Sequence, residues 1–222
     1  MIDFSTVASI EIPGGNVQEI KANGAIIWDS KKRKLPPGYI LASYIKSDGS
    51  AYISSGIIPD QDTRVICEVD LSPYNGTARN AFGARTSSSK NRYEFGVYNN
   101  RYRSTYGTAG PQFAESITTT DFIKVDKNKN VTTINDEHTI TSEMQTFTPG
   151  YDIVLFGSHT ASNVNKSKLA AKYFTIYQND VLVRDFVSCI NPDGEAGMYD
   201  FVSNSFFGNS GAGAFTAIIE EV

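Results

Sequence analysis

The stretch YEFGVYNNRYRSTY (residues 93–106) places an Asn-Asn pair between two runs in which apolar and polar side chains alternate. Alternation with a period of two is typical of a β-strand that buries one face. A tight type I′ turn needs positive φ at both central residues, and asparagine tolerates that backbone better than most residues. The stretch therefore predicts a β-hairpin that turns at Asn99 and Asn100.

A turn at this position decides which side chains share a face of the hairpin. In that register Tyr98 lies opposite Arg101, and Val97 lies opposite Tyr102. The apolar face carries Tyr93, Phe95, Val97, Tyr102 and Tyr106. The other face carries Arg92, Glu94, Tyr98, Arg101 and Arg103. We expect the first set to lie in a hydrophobic core and the second set to face solvent, as an antiparallel sheet allows.

The same signals recur along the chain. VQEIKANGAIIWD (residues 17–29) and FTIYQNDVLVRDF (174–186) predict two more hairpins, with turns at Asn23-Gly24 and Asn179-Asp180. Further strand runs are TRVICEVDL (63–71), RNAFGAR (79–85), DIVLFGS (152–158) and AGAFTAII (212–219). The best helical candidate, KSKLAAKYF (166–174), is short. The sequence therefore predicts an all-β protein built as a two-sheet antiparallel sandwich.

A domain boundary is predicted near residue 35, where KKRK (31–34) leads into LPPG (35–38). Two prolines stiffen such a connector, and we interpret the four basic residues as a solvated linker rather than a binding patch. Residues 1–34 then form a small β element, and residues 35–222 form the sandwich. A lone hairpin is marginally stable in water, so we expect this element to dock or oligomerise. Its candidate assembly residues are Ile20, Ile26, Ile27 and Trp28.

The charge balance argues against several classes of protein. Twenty basic and 24 acidic residues give a formal net charge of −4, which does not favour nucleic-acid binding over the whole surface. No run approaches the roughly 18 apolar residues of a membrane span. The N-terminal MIDFSTVASIEIPGG lacks the basic start and apolar core of a secretory signal. We therefore expect synthesis in the cytosol and no membrane insertion.

The chain offers few metal or catalytic residues. It has two cysteines and two histidines without CxxC or HxxxH spacing, so no zinc site is expected. Cys67 and Cys189 lie in apolar runs, which favours buried free thiols and leaves one disulfide open as the alternative. His138 and His159 are expected at the surface, without a catalytic triad.

Two acidic clusters could supply oxygen ligands to calcium. They are PDQDT, with Asp60 and Asp62, and NPDGE, with Asn191, Asp193 and Glu195. Neither has the spacing of a defined calcium loop, and Asx-type turns explain both clusters. No cofactor is therefore expected, and calcium stays open as an alternative.

The glycine run Gly208, Gly211 and Gly213 lies in GMYDFVSNSFFGNSGAGAF (197–215). A phosphate-binding loop lies between a strand and a helix, whose N-terminal N–H groups face the anion. Here the following residues, AFTAIIEEV, are β-like, and no Lys-Ser or Lys-Thr pair follows the glycines. We therefore interpret the run as a turn.

Several segments resemble a known family. They are LPPGYILASYIKSDGSAYISSGIIPDQDTRV (35–65), FGAR (82–85), FGVYNNRYRSTYG (95–107) and KYFTIYQNDVLVRDFVSCINPDGEAGMYDFVSNSFFGNSGAGAF (172–215). Their combination and order are similar to the concanavalin A-like (LamG-like) jelly-roll sandwich domains of virion proteins from tailed phages and prophages. In this family the terminal segment is a closing hairpin, with Tyr199 and Phe201 in one strand, Phe206 and Phe207 near the turn, and Phe215 in the last strand. The N-terminal IEIPGGNVQEIKANGAIIWD also resembles elements that open phage structural proteins.

The resemblance implies a virion component of the tail, baseplate or fibre that displays a lectin-like domain. Its partners would be other virion proteins, further copies of itself and host cell-surface polysaccharide. The alternative is a purely structural or capsid-decoration protein without a glycan ligand. Laminarinase-like enzymes of this fold carry Glu-x-Asp-x-Glu on one strand. Here Glu68 and Asp70 match the first two acids, but Ser72 replaces the third, so no enzyme activity is expected.

The candidate carbohydrate site is the tip of the central hairpin. Sugars stack their C–H faces on aromatic rings and accept hydrogen bonds from amide and guanidinium groups. The tip residues Tyr98, Asn99, Asn100, Arg101 and Arg103 offer both chemistries. A hydrophilic hairpin tip without a ligand is the competing interpretation.

Overall fold

The computed structural model describes the backbone of residues 19–22 and 25–29, and residues 34–72, 78–108, 110 and 121–219. These residues form strands and turns, and no helix among them is long and apolar enough to cross a membrane. The chain divides into two compact units between Pro36 and Pro37.

The strands are β1 (Glu19–Ala22), β2 (Ala25–Asp29), β3 (Ile40–Leu41), β4 (Tyr44–Ser47), β5 (Ile53–Ser54), β6 (Thr63–Asp70), β7 (Ala78–Arg85), β8 (Arg92–Tyr98), β9 (Arg101–Gly107), β10 (Ile123–Asn128), β11 (Val131–Ile134), β12 (His138–Thr141), β13 (Val154–Leu155), β14 (Gly157–His159), β15 (Val164–Lys166), β16 (Ala170–Gln178), β17 (Val181–Ile190), β18 (Ala196–Asp200), β19 (Ser205–Phe207) and β20 (Phe215–Ile218).

The first unit contains the predicted N-terminal hairpin. β1 and β2 pair antiparallel, with Glu19 opposite Asp29 and Ala22 opposite Ala25. The predicted turn residues Asn23 and Gly24 lie outside the described residues, as do the side chains of the four candidate assembly residues. Their role in docking stays a prediction.

The second unit is a sandwich of two sheets. The large sheet has eleven strands in the order β12-β11-β10-β6-β16-β17-β18-β19, with β3 on β17, and β4 joining β16 to β20. The small sheet has seven strands, in which β7 pairs with β8, β13 and β14, β9 pairs with β8, β5 with β13, and β15 with β14. The predicted all-β, two-sheet fold is confirmed.

Alternating burial explains why these sheets pack face to face. In β6 each second residue is buried, namely Thr63, Val65, Cys67 and Val69, while the residues between them are half-buried. Phe82 of the small sheet meets Phe174 of the large sheet edge-to-face, with ring centroids 6.3 Å apart. Both cysteines are buried and free, which confirms the expectation of free thiols. Apolar burial of this kind is the main stabilising contribution to the sandwich.

The central hairpin has the predicted register. Tyr98 lies opposite Arg101, and Tyr93 lies opposite Tyr106. Asn99 and Asn100 have φ of 47° and 59°, as a type I′ turn requires. All members of the predicted apolar face, Tyr93, Phe95, Val97, Tyr102 and Tyr106, are buried. The turn at Asn179-Asp180 is confirmed in the same way, with φ of 49° and 62°.

The expectation that the second face of this hairpin lies in solvent is wrong for two residues. Arg92 and Glu94 are only 5% and 2% exposed. Arg92 remains compatible with burial because it donates from Nη1 to the Ser88 carbonyl (3.0 Å) and from Nη2 to the Thr108 carbonyl (2.5 Å). Strand alternation identifies the face a side chain occupies, but it does not reveal which loops return over that face.

Glu94 is compatible with burial for a similar reason. It accepts hydrogen bonds from the Ser158 hydroxyl and from Thr105 Oγ1 (3.3 Å). Arg85 Nη1 lies 3.6 Å from its carboxylate. Because these groups replace water around the carboxylate, the buried charge is hydrogen-bonded and paired.

The glycine run is a loop, as predicted. Asn209 Oδ1 accepts from the backbone N–H groups of Tyr52 (3.2 Å) and Gly211 (2.7 Å). Asp48 Oδ2 accepts from Ala214 N (3.1 Å), which ties the loop to the end of β4. Gly213 passes so close to Asp48 that a Cβ would come within 2.3 Å of the carboxylate. The loop therefore binds a side chain of its own protein.

Three local predictions need correction. Phe201 lies in the turn after β18 rather than in the strand, and Phe206 and Phe207 form their own strand, β19. DIVLFGS is two strands, because Phe156 adopts φ of 65° and ends the antiparallel pairing of β13 with β7. β14 then pairs with β7 in parallel at His159 and Ala84. This parallel pair departs from the predicted antiparallel sandwich, and it places His159 in a strand.

Candidate functional site

The tip surface is the set Tyr98, Asn99, Asn100, Arg101 and Arg103, which the structure brings together at the end of β8 and β9. Tyr98 is 36% exposed, and Asn99, Asn100 and Arg101 are exposed as well. The Arg103 guanidinium carbon lies 5.2 Å from the centroid of the Tyr98 ring. Exposed aromatic, amide and guanidinium groups therefore share one small surface.

The hairpin register explains why Arg103 reaches Tyr98. Arg103 is diagonal to Tyr98 on the same face, at a distance that long side chains span. Its direct partner across the strands is Gly96, which has no side chain to occupy the space between them. The guanidinium is thus free to lie on one side of the phenol ring, where a cation–π contact is favourable.

The tip surface carries a local excess of positive charge. Among the described residues, no carboxylate lies within ion-pair distance of Arg101 or Arg103. Burial of Arg92 on the same face lowers the pKa of its guanidinium, and the positive charges of Arg103 and Arg85 lower it further. Repulsion between like charges has this direction because it disfavours the protonated form.

The buried Arg92 and the half-buried Arg103 meet at Gly110. A Cβ on Gly110 would lie 3.1 Å from Arg92 Nη2 and 3.2 Å from Arg103 Nη2, so both guanidinium groups approach this residue. The Nε atoms of Arg92 and Arg103 are buried without a hydrogen-bond partner. Neither the closeness of these groups nor the burial of Arg92 was predicted, since both involve contacts with residues outside the strand itself, namely Ser88, Thr108 and Gly110.

The acidic strand pair of β6 does not form a catalytic carboxylate pair. Glu68 accepts a hydrogen bond from Lys172 Nζ at 2.6 Å. Asp70 ends the strand and accepts from the backbone N–H of Ser72 at 2.8 Å. Ser72 itself supplies a turn contact in the position where a third acid would be needed. The absence of hydrolase activity stays a prediction.

The two histidines are both half-buried. His159 Nδ1 contacts Asp152 Oδ1 at 2.7 Å, and the Ser54 hydroxyl donates to Asp152 Oδ2 at 2.5 Å. Because Ser54 bonds the aspartate rather than the histidine, the cluster does not have the order of a serine-hydrolase triad. His138 begins β12 after the turn at Asn135 and Asp136.

The two acidic clusters considered for calcium form local turns. Asp60 Oδ1 accepts from Asp62 N (2.9 Å), and Asn191 Oδ1 accepts from the N–H groups of Asp193 (3.0 Å) and Glu195 (2.8 Å). These are the contacts of Asx turns. Within the described part of the chain, no three His, Cys, Asp or Glu residues are close enough to hold a metal ion.

A second polar and aromatic surface lies on the outer face of the large sheet. Arg64 donates from Nε and Nη2 to the two carboxylate oxygens of Asp126, at 2.9 and 2.6 Å. The same guanidinium lies 5.7 Å from the ring centroid of Tyr177, and Tyr173 lies four residues earlier on β16. Only the pairing of β6 with β10 and β16 places these residues together, so the sequence pattern alone did not reveal them.

Comparison with known proteins supports the fold and assigns no family. No family profile and no curated protein matches the sequence. A crystal structure from Bacteroides ovatus, described as a "putative carbohydrate binding protein", is similar at a TM-score of 0.54 and 8% identity. The match covers 81% of this chain and 61% of that one. This likeness shows that the chain has the same kind of β-sandwich.

A second similar structure is that of domains LG4-5 of the mouse laminin α1 chain. Its TM-score is 0.42 at 10% identity, over 70% of this chain and 49% of that one, and no argument rests on it. Neither structure is described as a phage protein, so the virion origin that the sequence resemblance implies stays a prediction.

Proposed function

We propose that the sandwich domain is a lectin-like module that binds glycans through the tip surface. The observation that carries this proposal is the exposed Tyr98 ring, which Arg103 contacts and which lies at the same turn as the exposed Asn99, Asn100 and Arg101. A sugar ring stacks on an aromatic face, and its hydroxyl groups exchange hydrogen bonds with amide groups and accept them from guanidinium groups. The hairpin buries its apolar face in the core, and a site held in place before binding loses less entropy when the ligand arrives.

The fold supports this proposal by analogy. A protein described as carbohydrate-binding has the same kind of sandwich, but one fold hosts many functions, and the site must carry the argument. By the sequence resemblance, we further propose that the module is displayed on a virion, in an oligomer with other virion proteins, and is made in the host cytoplasm. A structural or decoration protein without a glycan ligand is the alternative.

The test compares binding to bacterial cell walls and to a glycan array. The proteins compared are the full chain, a Tyr98→Ala/Arg101→Ala variant and a Val181→Ala/Lys46→Ala control. The control also removes one exposed apolar and one exposed basic side chain, but outside the tip surface. We expect the tip variant to lose at least about tenfold in affinity while the control binds like the unmodified protein.

Each outcome assigns the function differently. Selective loss in the tip variant supports the lectin role and its site. Unchanged binding in the tip variant keeps a glycan-binding function but overturns the tip as its site, and Tyr173 and Tyr177 become the next residues to replace. If no wall or glycan binds the full chain, the proposed function is wrong and the structural alternative is favoured.

A further inference from the structure

The proposed function leaves open which class of glycan the tip surface prefers. Its charged members are two arginines, and the set contains no acidic side chain. The single carboxylate on β8 and β9 is Glu94, which is engaged by Ser158, Thr105 and Arg85. Glu94 is therefore not the counterion of Arg103.

Arg103 is held in an unusual state for a guanidinium group. Its Nε is buried without an acceptor, and no hydrogen bond from its remaining N–H groups is found among the described residues. Among the residues that the structure describes, the ring that it contacts is Tyr98. A guanidinium presents several N–H donors in a planar fork that matches the two oxygens of an oxyanion. A bound oxyanion would satisfy donors that the described residues leave unused.

Arg92, on the same face of the hairpin, adds positive charge beside Arg103 and so favours a bound anion. The guanidinium groups of Arg92 and Arg103 both approach Gly110 closely. Two positive charges this near to each other repel, and they repel more strongly where water is partly excluded. Both Nη groups of Arg92 are already bound to carbonyl oxygens. Arg92 therefore contributes positive potential, while Arg101 and Arg103 keep donors for a ligand.

We infer that the tip surface binds acidic glycans, polymers whose sugar units carry a carboxylate, phosphate or sulfate group; this inference rests on the proposed glycan-binding role. The oxyanion pairs with Arg103 and Arg101. The sugar ring stacks on the side of Tyr98 that Arg103 does not cover, and Asn99 and Asn100 bond its hydroxyl groups. A neutral sugar would leave the guanidinium donors without partners, so the arrangement discriminates by charge.

The experiment measures the affinity of the full chain for four polymers of similar size. They are polygalacturonate as the carboxylate, polyglycerol phosphate as the phosphate, dextran sulfate as the sulfate and dextran as the neutral probe. Each is titrated calorimetrically at low and at moderate salt. The variants are Arg101→Gln, Arg103→Gln and Lys46→Gln/Lys90→Gln. The last removes two exposed charges away from the tip, and it controls for general attraction between a cationic surface and a polyanion.

We expect at least one acidic polymer to bind ten times or more tightly than dextran, with binding that weakens as salt rises. Arg101→Gln and Arg103→Gln should each lower that affinity about tenfold, because each removes a charge-assisted contact. Arg101 is exposed, so its replacement reports on binding even if Arg103→Gln destabilises the hairpin. The acidic polymer that binds identifies the oxyanion.

Three results would overturn the inference. Equal binding of dextran and the acidic polymers would show that charge is not selected, although the lectin role would stand. An equal loss in the Lys46→Gln/Lys90→Gln control would show nonspecific attraction. Failure of every glycan, including those on the array, would overturn the lectin role itself, so the two failures are distinguishable.

Discussion

Lys127 is a lysine in an environment unusual for its type. It is fully buried on β10 between the two sheets, where its Nζ donates to Ser104 Oγ at 2.6 Å. The ammonium also lies 4.7 Å from the ring centroid of Tyr93 and 5.8 Å from that of Tyr106. Burial lowers the pKa of Lys127 to about 7, and the charge of Glu94 opposes that change.

This pKa makes the stability of the sandwich depend on pH. In the unfolded chain a lysine has a pKa of about 10.4, so between about pH 7 and pH 10 the unfolded state binds more protons than the folded state. The free energy of unfolding therefore rises with pH over that range. The stability that deprotonation of Lys127 contributes is lost as pH falls below about 7. We expect a rise of about 2 kcal/mol between about pH 7 and pH 9, measured by chemical denaturation.

The substitution Lys127→Met should remove this rise and stabilise the protein near neutral pH. Methionine fills the same space without a charge, and the Ser104 hydroxyl keeps its contact with Thr132 Oγ1 at 2.7 Å. The exposed Lys124, three residues earlier on β10, offers a matched Lys124→Met control. An unchanged pH slope in the Lys127 variant would contradict the assignment.

At the scale of single elements, the central turn determines the stability of the tip hairpin. Asn100 has φ of 59°, a backbone that an ordinary L-residue adopts only at a cost of about 1–2 kcal/mol. We expect Asn100→Ala to lower the free energy of unfolding by about 1 kcal/mol and Asn100→Gly to leave it unchanged or higher. Thermal and urea melts measure both values.

An exposed asparagine in a strand provides the control for this turn. Asn165 of β15 is exposed and lacks positive φ, so Asn165→Ala should have little effect. If Asn100→Ala proved as stable as the unmodified chain, the positive φ at this position would not disfavour alanine, and the prediction would be wrong.

The connection between the end of β4 and the start of β20 depends on one carboxylate. Asp48 accepts from the N–H groups of Ser50 (2.6 Å), Ala51 (3.0 Å) and Ala214 (3.1 Å). The bonds to Ser50 and Ala214, the largest causes, lower the pKa of Asp48. Asp48→Ala should lower the free energy of unfolding by about 1 kcal/mol, since it leaves these N–H groups to water.

The pH dependence of this contact has a definite sign. A carboxylate with a lowered pKa stabilises the folded state above its unfolded pKa and loses that contribution as pH falls through its folded pKa. The difference between the unmodified chain and Asp48→Ala should therefore be largest near about pH 7 and shrink in acid. Asp193→Ala, at an exposed turn, is the control, and an equal loss there would contradict a specific role for Asp48.

For the whole molecule, the division into two units predicts that folding of the sandwich and assembly can be separated by deletion. The core residues of the sandwich that the structure describes all lie within Pro37–Val222. We expect deletion of residues 1–34 to leave the melting temperature of the sandwich nearly unchanged and to abolish self-association or assembly. Light scattering and differential scanning calorimetry measure the two effects. An unchanged mass in solution together with unchanged incorporation into particles would contradict the docking role.

Local patterns predicted the elements with the clearest signals. The Asn99-Asn100 and Asn179-Asp180 turns have the required positive φ because their residue types tolerate it, and no distant contact is needed to produce that preference. The buried face of β8 and β9 followed from period-two alternation. Phe156 could not be predicted from local patterns. Bulky residues rarely adopt positive φ, and this backbone persists only because packing in the core holds it in place.

The sequence by itself determined the all-β class, the central hairpin register and the members of the tip surface, because alternation and turn chemistry are properties of neighbouring residues. Only the tertiary structure decided that Arg92 and Glu94 are buried, that Lys127 lies between the sheets, and that two arginines meet at Gly110. These features depend on which strands pair and which segments return over a face. Such contacts join residues far apart in the chain, and no short stretch of sequence encodes them.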